Sequence, residues 1–202
     1  MRLVLASTSP QRRAILEQLR IPFEAVAPAY HEDALPATPA DLVRAHAEGK
    51  ARSAHADGRV TLGVDTAVVL GDRVYGKPGD AADAERMLRD LSGATHVVLS
   101  GLCLLGPGFE VVEHEATSVR FRALGDRDLA VYLDSGEWRG RAGAYAIQGL
   151  GGRLVAGIEG DYLNVVGLPG ALLVTLLGRL APQLLENEAP ATLGRPWSGS
   201  AR

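Results

Sequence analysis

The 202-residue chain holds one cysteine, Cys103, so no disulfide can form within it. Cys103 lies in an apolar, strand-like run and is expected as a buried small hydrophobe of a reducing compartment. Aromatic residues are scarce at 5%. Charge of one sign is lacking as well: the formal net charge is −3. That balance gives no electrostatic case for binding a nucleic-acid polymer or an acidic membrane, both of which select basic surfaces. Any positive charge that matters must therefore be local. Long hydrophobic runs are missing too. The longest, around Val165–Leu177, is broken by Gly167, Pro169, Gly170 and Thr175 and is too short to span a bilayer. The opening Met1–Ala6 run is too short for a signal-peptide core. The expectation is a soluble, cytoplasmic protein with no membrane partner. His46 and His55 lack the spacing of a zinc site, and no internal repeat is found.

What is present is an apolar fraction of 47%, enough for a full core. The length favours one large domain or one domain split into two lobes. We place it at residues 1–182, with a tail over 183–202 that has little to bury and is expected to be mobile.

The densest stretch is Gly63–Pro78, GVDTAVVLGDRVYGKP. Val60–Val64 delivers Asp65, and Ala67–Leu70 turns through Gly71-Asp72 into Arg73-Val74-Tyr75, a two-residue hairpin signal. The hairpin would fold Lys77 back toward Asp65. A carboxylate that can hold a divalent metal or orient a water, beside an ammonium, suits polyphosphate chemistry. More commonly, an Asp at a strand end forms a turn or a salt bridge.

Along the rest of the chain, Arg2–Ala6 reads as a buried strand. Ser9 as N-cap with Pro10 at N1 then starts a helix. Its first turn carries Gln11, Arg12 and Arg13, where the helix dipole would prefer acids. An anion held by free N–H groups, the Ser7 and Ser9 hydroxyls and the guanidinium groups would account for them, and so would solvated surface arginines. A strand over Phe23–Ala27 leads to an acidic loop in which Glu32 and Asp33 could reach a metal or a base edge. A helix from Thr38-Pro39 to about Ala56 carries Lys50, whose position alone suggests a solvated lysine. Further elements are a helix opened by Asp80, a hairpin of Thr95–Leu105 and Phe109–Arg122, a helix over Asp126–Ser135, a strand over Arg153–Ile158 and a final helix with Pro169 near its N1. Gly136–Gly152 is glycine-dense, so backbone can approach a ligand closely, and Gln148 within it has the donor and acceptor to read a base edge.

The blocks Leu5–Arg12, Gly63–Thr66, Gly76–Pro78, Leu91–His96, Ala142–Gly149 and Asn164–Pro169 occur in order over about residues 2–178. Together they resemble the signature of the Maf family of nucleoside triphosphate pyrophosphatases, first named for a link to septum formation. The resemblance implies an α/β fold like the inosine triphosphatases: a long curved mixed sheet with flanking helices, two lobes around a central cleft, and commonly a homodimer. It implies hydrolysis of a nucleoside triphosphate to monophosphate and pyrophosphate with Mg²⁺ or Mn²⁺. Carried over by position, Asp65 would be the catalytic carboxylate and, with Glu32, would serve the metal. Arg12, Lys50 and Lys77 would bind triphosphate beside Ser7 and Ser9, with Arg13 on the same helix turn. Specificity in the family tracks the residues at Gln11, Thr66 and Gln148. Thr66 with Gln148 resembles the dTTP and UTP branch, whereas Gln11 and Arg141 stand where that branch usually has Arg and Lys.

The expected function is thus a pyrophosphatase for dTTP, UTP and related pyrimidine nucleotides. The alternatives are the same chemistry on another base such as 7-methyl-GTP, a non-catalytic nucleotide-binding regulator of division, and a nucleic-acid binder, which the net charge disfavours.

Overall fold

The computed structural model describes residues 2–32 and 38–186. Among them run β1 (Leu3–Ala6), α1 (Pro10–Gln18), β2 (Phe23–Val26), α2 (Pro39–Ala54), β3 (Thr61–Leu70) and β4 (Arg73–Tyr75). There follow α3 (Ala81–Leu91), β5 (Thr95–Gly106), β6 (Phe109–Phe121), α4 (Asp126–Ser135), β7 (Val155–Glu159), α5 (Tyr162–Val166) and α6 (Gly170–Leu180). The strands form one seven-stranded mixed sheet ordered β2-β1-β3-β5-β6-β7, with β4 also on β3. β1 is parallel to β2 and β3, and the remaining pairs are antiparallel. This is the expected mixed α/β sheet with flanking helices.

Two apolar runs flanking Asp65 were expected, and they are one continuous strand. β3 pairs with β5 from Thr61 to Val69, so Asp65 and Thr66 continue the ladder instead of ending it. The expected hairpin closes on Gly71, whose φ of +58° is the left-handed conformation that glycine adopts freely. Asp80 caps α3 by accepting from the Asp83 amide, and the Thr38 hydroxyl accepts from that of Asp41 at the start of α2. A short helix, α5, precedes α6 and was not foreseen. Gly167 ends it, its N–H donating to the Leu163 and Asn164 carbonyls and closing the turn before Pro169.

The apolar side chains gather in two main clusters. One holds Leu3, Leu5, Ile15, Leu62, Val64, Leu102, Leu173 and Leu177, from β1, α1, α6 and one half of β3 and β5. The other holds Val68, Tyr75, Leu88, Val98, Phe121, Leu129, Tyr132 and Tyr145, from α3, α4 and the other half of the same two strands. Fully burying a side chain of this size contributes ~1.5–3 kcal/mol, so each cluster is a core of its own. Ala47, Ala51 and the free Cys103 pack together where α2 crosses the opposite face, and burial pushes the Cys103 thiol up to about 12. The first core extends to Leu184, which is buried on a 3-10 turn at Pro182–Leu184, beyond the expected boundary at 182. The remainder of the tail, from residue 187, lies outside the described residues.

Candidate active site

β3 is the frame of the site because its two edges differ. One edge is paired with β5 almost throughout. The other meets β1 at Thr61–Gly63 and β4 at Val68–Leu70, which leaves residues 64–67 facing no strand. Asp65 and Thr66 occupy that gap, at the carboxyl end of β1. There the chain leads to neighbours on opposite sides, since β2 flanks β1 on one edge and β3 on the other. Crevices at such switch points are where open α/β sheets bind ligands.

Strand alternation sends Asp65 and Gly63 to one face and Thr66 to the other. On the Asp65 face lies α2. A Cβ on Gly63 would overlap the Ala47 carbonyl oxygen, and one on Gly101, the register partner of Asp65, would overlap that of Val43. The two glycines let the helix rest directly on the sheet, which brings Lys50 down to it. Lys50 Nζ donates to Asp65 Oδ1 at 2.6 Å and forms an ion pair with Glu32 Oε1 at 2.5 Å. Side-chain exposure is 9% for Lys50 and 14% for Asp65, so this pair is largely screened from water, whereas Glu32 is 51% exposed. Burial by itself would raise the Glu32 carboxyl. The hydrogen bond and charge of Lys50, with the charges of Lys77 and His46, outweigh it and hold the group below its usual range.

On the Thr66 face, Arg12 is the junction. Its Nε donates to the Gly167 carbonyl at 3.0 Å, Nη1 to Ser7 Oγ at 3.1 Å and Nη2 to Thr66 Oγ1 at 3.3 Å. One guanidinium thus ties α1 to the end of β1, the middle of β3 and the end of α5. Burial lowers its pKa and the charges of Asp65 and Glu32 oppose that; arginine stays a cation here. Thr66 Oγ1 also lies 2.9 Å from Ser100 Oγ, so its hydroxyl is engaged on both sides.

Ser9 and Pro10 open α1 as the sequence suggests, but Ser9 does not cap it through its side chain. The Ser9 hydroxyl donates to Gln11 Oε1, and its amide donates to Ser7 Oγ. With no acid in the first turn, the positive end of the helix stays uncompensated. Ser7, Ser9, Gln11, Arg12, Asp65, Thr66, Lys50 and Glu32 are therefore brought together.

Three expected residues are not bonded into this group. Lys77 is exposed and close enough for its charge to act on Glu32. Gly143 donates to the Gly76 carbonyl at 3.1 Å and sits, at φ +66°, where a Cβ would crowd the Val68 side chain, so the glycine-dense stretch joins the Lys77 turn. Gln148 in that stretch is exposed and makes no side-chain hydrogen bond among the described residues, and Arg13 is likewise exposed and unbonded. Asp33 lies outside the described residues.

Sequence reading missed the supports. The Gly167 carbonyl and Ser100 hydroxyl, which hold Arg12 and Thr66, carry no signal of their own. Tyr30 and His46 are joined at 3.0 Å, and the Tyr30 ring fills the space where Gly49 lacks a Cβ. That contact seats the Glu32 loop on α2, and a glycine inside a helix was its available sign. His96 is fully buried, with Nε2 2.9 Å from the Tyr145 hydroxyl.

Among the described residues no three His, Cys, Asp or Glu side chains cluster as a ready metal site. Two carboxylates nevertheless converge on one cation, the Lys50 ammonium, beside an open helix N-terminus and an arginine. Such an arrangement on an α/β sheet is chemically suited to a polyanion next to a carboxylate largely screened from water. The chain belongs to the Maf family: the family model described as Maf-like protein matches residues 2–180. It is 48% identical over 170 residues to the dTTP/UTP pyrophosphatase of Symbiobacterium thermophilum, covering 83% of this chain and 88% of that one. It is 41% identical over 190 residues to the protein of the same name from Ruminiclostridium cellulolyticum, covering 91% and 98%. A third relative of that name, from an Anaeromyxobacter species (strain Fw109-5), is 47% identical over 207 residues, covering 98% and 97%. Among solved structures, the Staphylococcus aureus Ham1 protein aligns over 60% of this chain and 72% of its own, with a TM-score of 0.43 and 13% identity, too partial a likeness to carry an argument.

Proposed function

We propose that this protein hydrolyses dTTP and UTP, and related pyrimidine nucleotides, at the α–β anhydride, releasing the monophosphate and pyrophosphate. The observation that carries this reading is Lys50 bonded to both Asp65 and Glu32 beside the open N-terminus of α1. A triphosphate in the gap along β3 meets the α1 amides and Arg12 on one side and Lys50 and Lys77 on the other. Asp65 receives the proton of the attacking water as the oxygen bonds to phosphorus and the anhydride oxygen leaves. Lys50, held against Asp65, keeps that carboxylate in place and neutralises negative charge that grows on the phosphate oxygens.

Asp65 and Glu32 also fit Mg²⁺ or Mn²⁺, since one or two carboxylates plus substrate phosphates is a usual donor set and these two already turn toward a common positive charge. Such an ion, when bound, supplies charge neutralisation of the phosphates. Gln148 lies in an exposed turn free to meet a base edge, and the dTTP/UTP naming of the relatives supports a pyrimidine. Family membership extends the reading to a cytoplasmic homodimer, which light scattering on the purified chain tests. No helix among the described residues is long and apolar enough to cross a membrane.

Pyrophosphate release from dTTP, UTP, dUTP, 7-methyl-GTP and GTP, with Mg²⁺, Mn²⁺ or chelator, tests the whole reading. Metal-dependent turnover led by dTTP and UTP is expected. Turnover led by a purine would overturn the base assignment, and no turnover would leave a nucleotide-binding protein. Gln148→Glu should change the ranking of substrates, and an unchanged ranking would remove Gln148 from base reading.

A further inference from the structure

A second cavity lies away from Asp65, between α4 and the 3-10 turn at Leu150–Leu154, with a volume of about 260 Å³. Its walls divide by chemistry. Arg122, Arg127 and Arg153 supply the charge, and Val131, Tyr132 and Leu150 supply an apolar side. Arg122 is committed, donating to both oxygens of Asp128 at 2.6 and 2.8 Å and to the Arg153 carbonyl at 2.6 Å. Arg127 and Arg153 make no ion pair and no side-chain hydrogen bond among the described residues. Three guanidinium groups against one carboxylate leave the cavity electropositive. Val131 and Leu150 are 47% and 40% exposed, so the cavity presents an accessible apolar wall beside these cations.

We propose that this cavity is a binding site for a small phosphate monoester, with its phosphate on Arg127 and Arg153 and its planar or apolar part against Val131 and Leu150. Planar guanidinium forks match phosphate oxygens in pairs, which a single ammonium cannot do. The volume is below the ~300–1,000 Å³ usual for drug-sized ligands, which limits the occupant to about one sugar or nucleoside with one phosphate. A nucleoside monophosphate has both halves. Tyr132 gives the site a line to the glycine-dense stretch: it forms part of the cavity wall, and its hydroxyl accepts from the Ala146 amide at 3.0 Å, two residues before Gln148. Leu150, on another wall, stands two residues after it. An occupant would bear on both ends of the turn that presents Gln148. That consequence rests on the pyrophosphatase reading, whereas occupancy itself does not.

The test is methyl NMR of the full chain titrated with thymidine monophosphate. Val131 and Leu150 resonances should shift in the wild type and equally in Asp65→Asn. In the Arg127→Ala/Arg153→Ala double variant, affinity read at these methyls should fall roughly tenfold or more, because charge-assisted bonds are lost. Both arginines are exposed, so their removal leaves the cores intact. Thymidine without phosphate should give no shift, and inorganic phosphate a weaker one. Silent Val131 and Leu150 methyls, a shift that survives the double substitution, or an equal response to thymidine would each overturn the site. Turnover of the double variant without added monophosphate should match the wild type. Loss of turnover in Asp65→Asn alone bears on the catalytic reading and leaves this one standing.

Discussion

Gly63 and Ala47 meet with no room for a methyl group between them, because a Cβ on Gly63 would overlap the Ala47 carbonyl oxygen in the backbone of α2. Backbone cannot rotate aside as a side chain can, so Gly63→Ala must lift the helix or bend the strand. Overpacking of this kind costs ~1–3 kcal/mol. The melting temperature should drop, and turnover should fall with it as Lys50 is carried away from Asp65. A Gly63→Ala protein with both values unchanged would reject tight packing as the device that places Lys50.

Lys50→Met keeps the length of the side chain and removes its charge. Asp65 and Glu32 then face each other without their shared cation, and the phosphates lose a partner. A decrease in kcat of about 10²–10³ is expected, with the circular dichroism spectrum preserved. Asp65→Asn should likewise suppress pyrophosphate release while the chain stays folded, and a variant with most of its rate would remove Asp65 from the chemistry.

Arg12→Lys should be far from conservative. A lysine cannot reproduce the fork that joins Ser7, Thr66 and Gly167, so the melting temperature should fall as well as the affinity for triphosphate. KM should rise more than tenfold. A variant with raised KM and undiminished stability would show that the three bonds do no structural service.

His96 predicts a pH dependence. Burial lowers its pKa from 6.5 to about 4, since the charged ring would be stranded beside Phe121 and Tyr145. The unfolded chain binds this proton more readily than the folded one. The contribution of the neutral ring is therefore whole above about pH 6.5 and is lost as pH falls toward 4, by up to ~3 kcal/mol. Thermal melts of wild type and His96→Gln from pH 7 to 4 should diverge in slope, with the variant flatter. Parallel slopes would refute the assignment.

Much of this was legible because local signals agreed with the final packing. Asp80, Thr38 and the Ser9-Pro10 pair mark their helices, Gly71-Asp72 marks its hairpin, and the ordered blocks point to the family. The supports of the site were not legible. A carbonyl such as that of Gly167 exists at every position, and only the fold decides which one meets Arg12. Lys50 shows the same limit from the other side. Its place on a helix suggested solvent, and it is buried because Gly63 and Gly101, distant in the chain, let α2 settle on the sheet. Gln148 was legible as a candidate from its glycine-dense setting and from the resemblance, and no side-chain hydrogen bond among the described residues engages it.

The split edge of β3 makes its midpoint a fulcrum. Helix α1, which carries Arg12, packs into one core, Tyr145 and Ile147 beside Gln148 pack into the other, and Asp65 lies on the strand that the two share. If the halves flex about the strands they share, the distance between Arg12 and Lys77 changes while the acid between them hardly shifts. Grip and chemistry can then be tuned apart, by changes on either side that leave the pivot untouched.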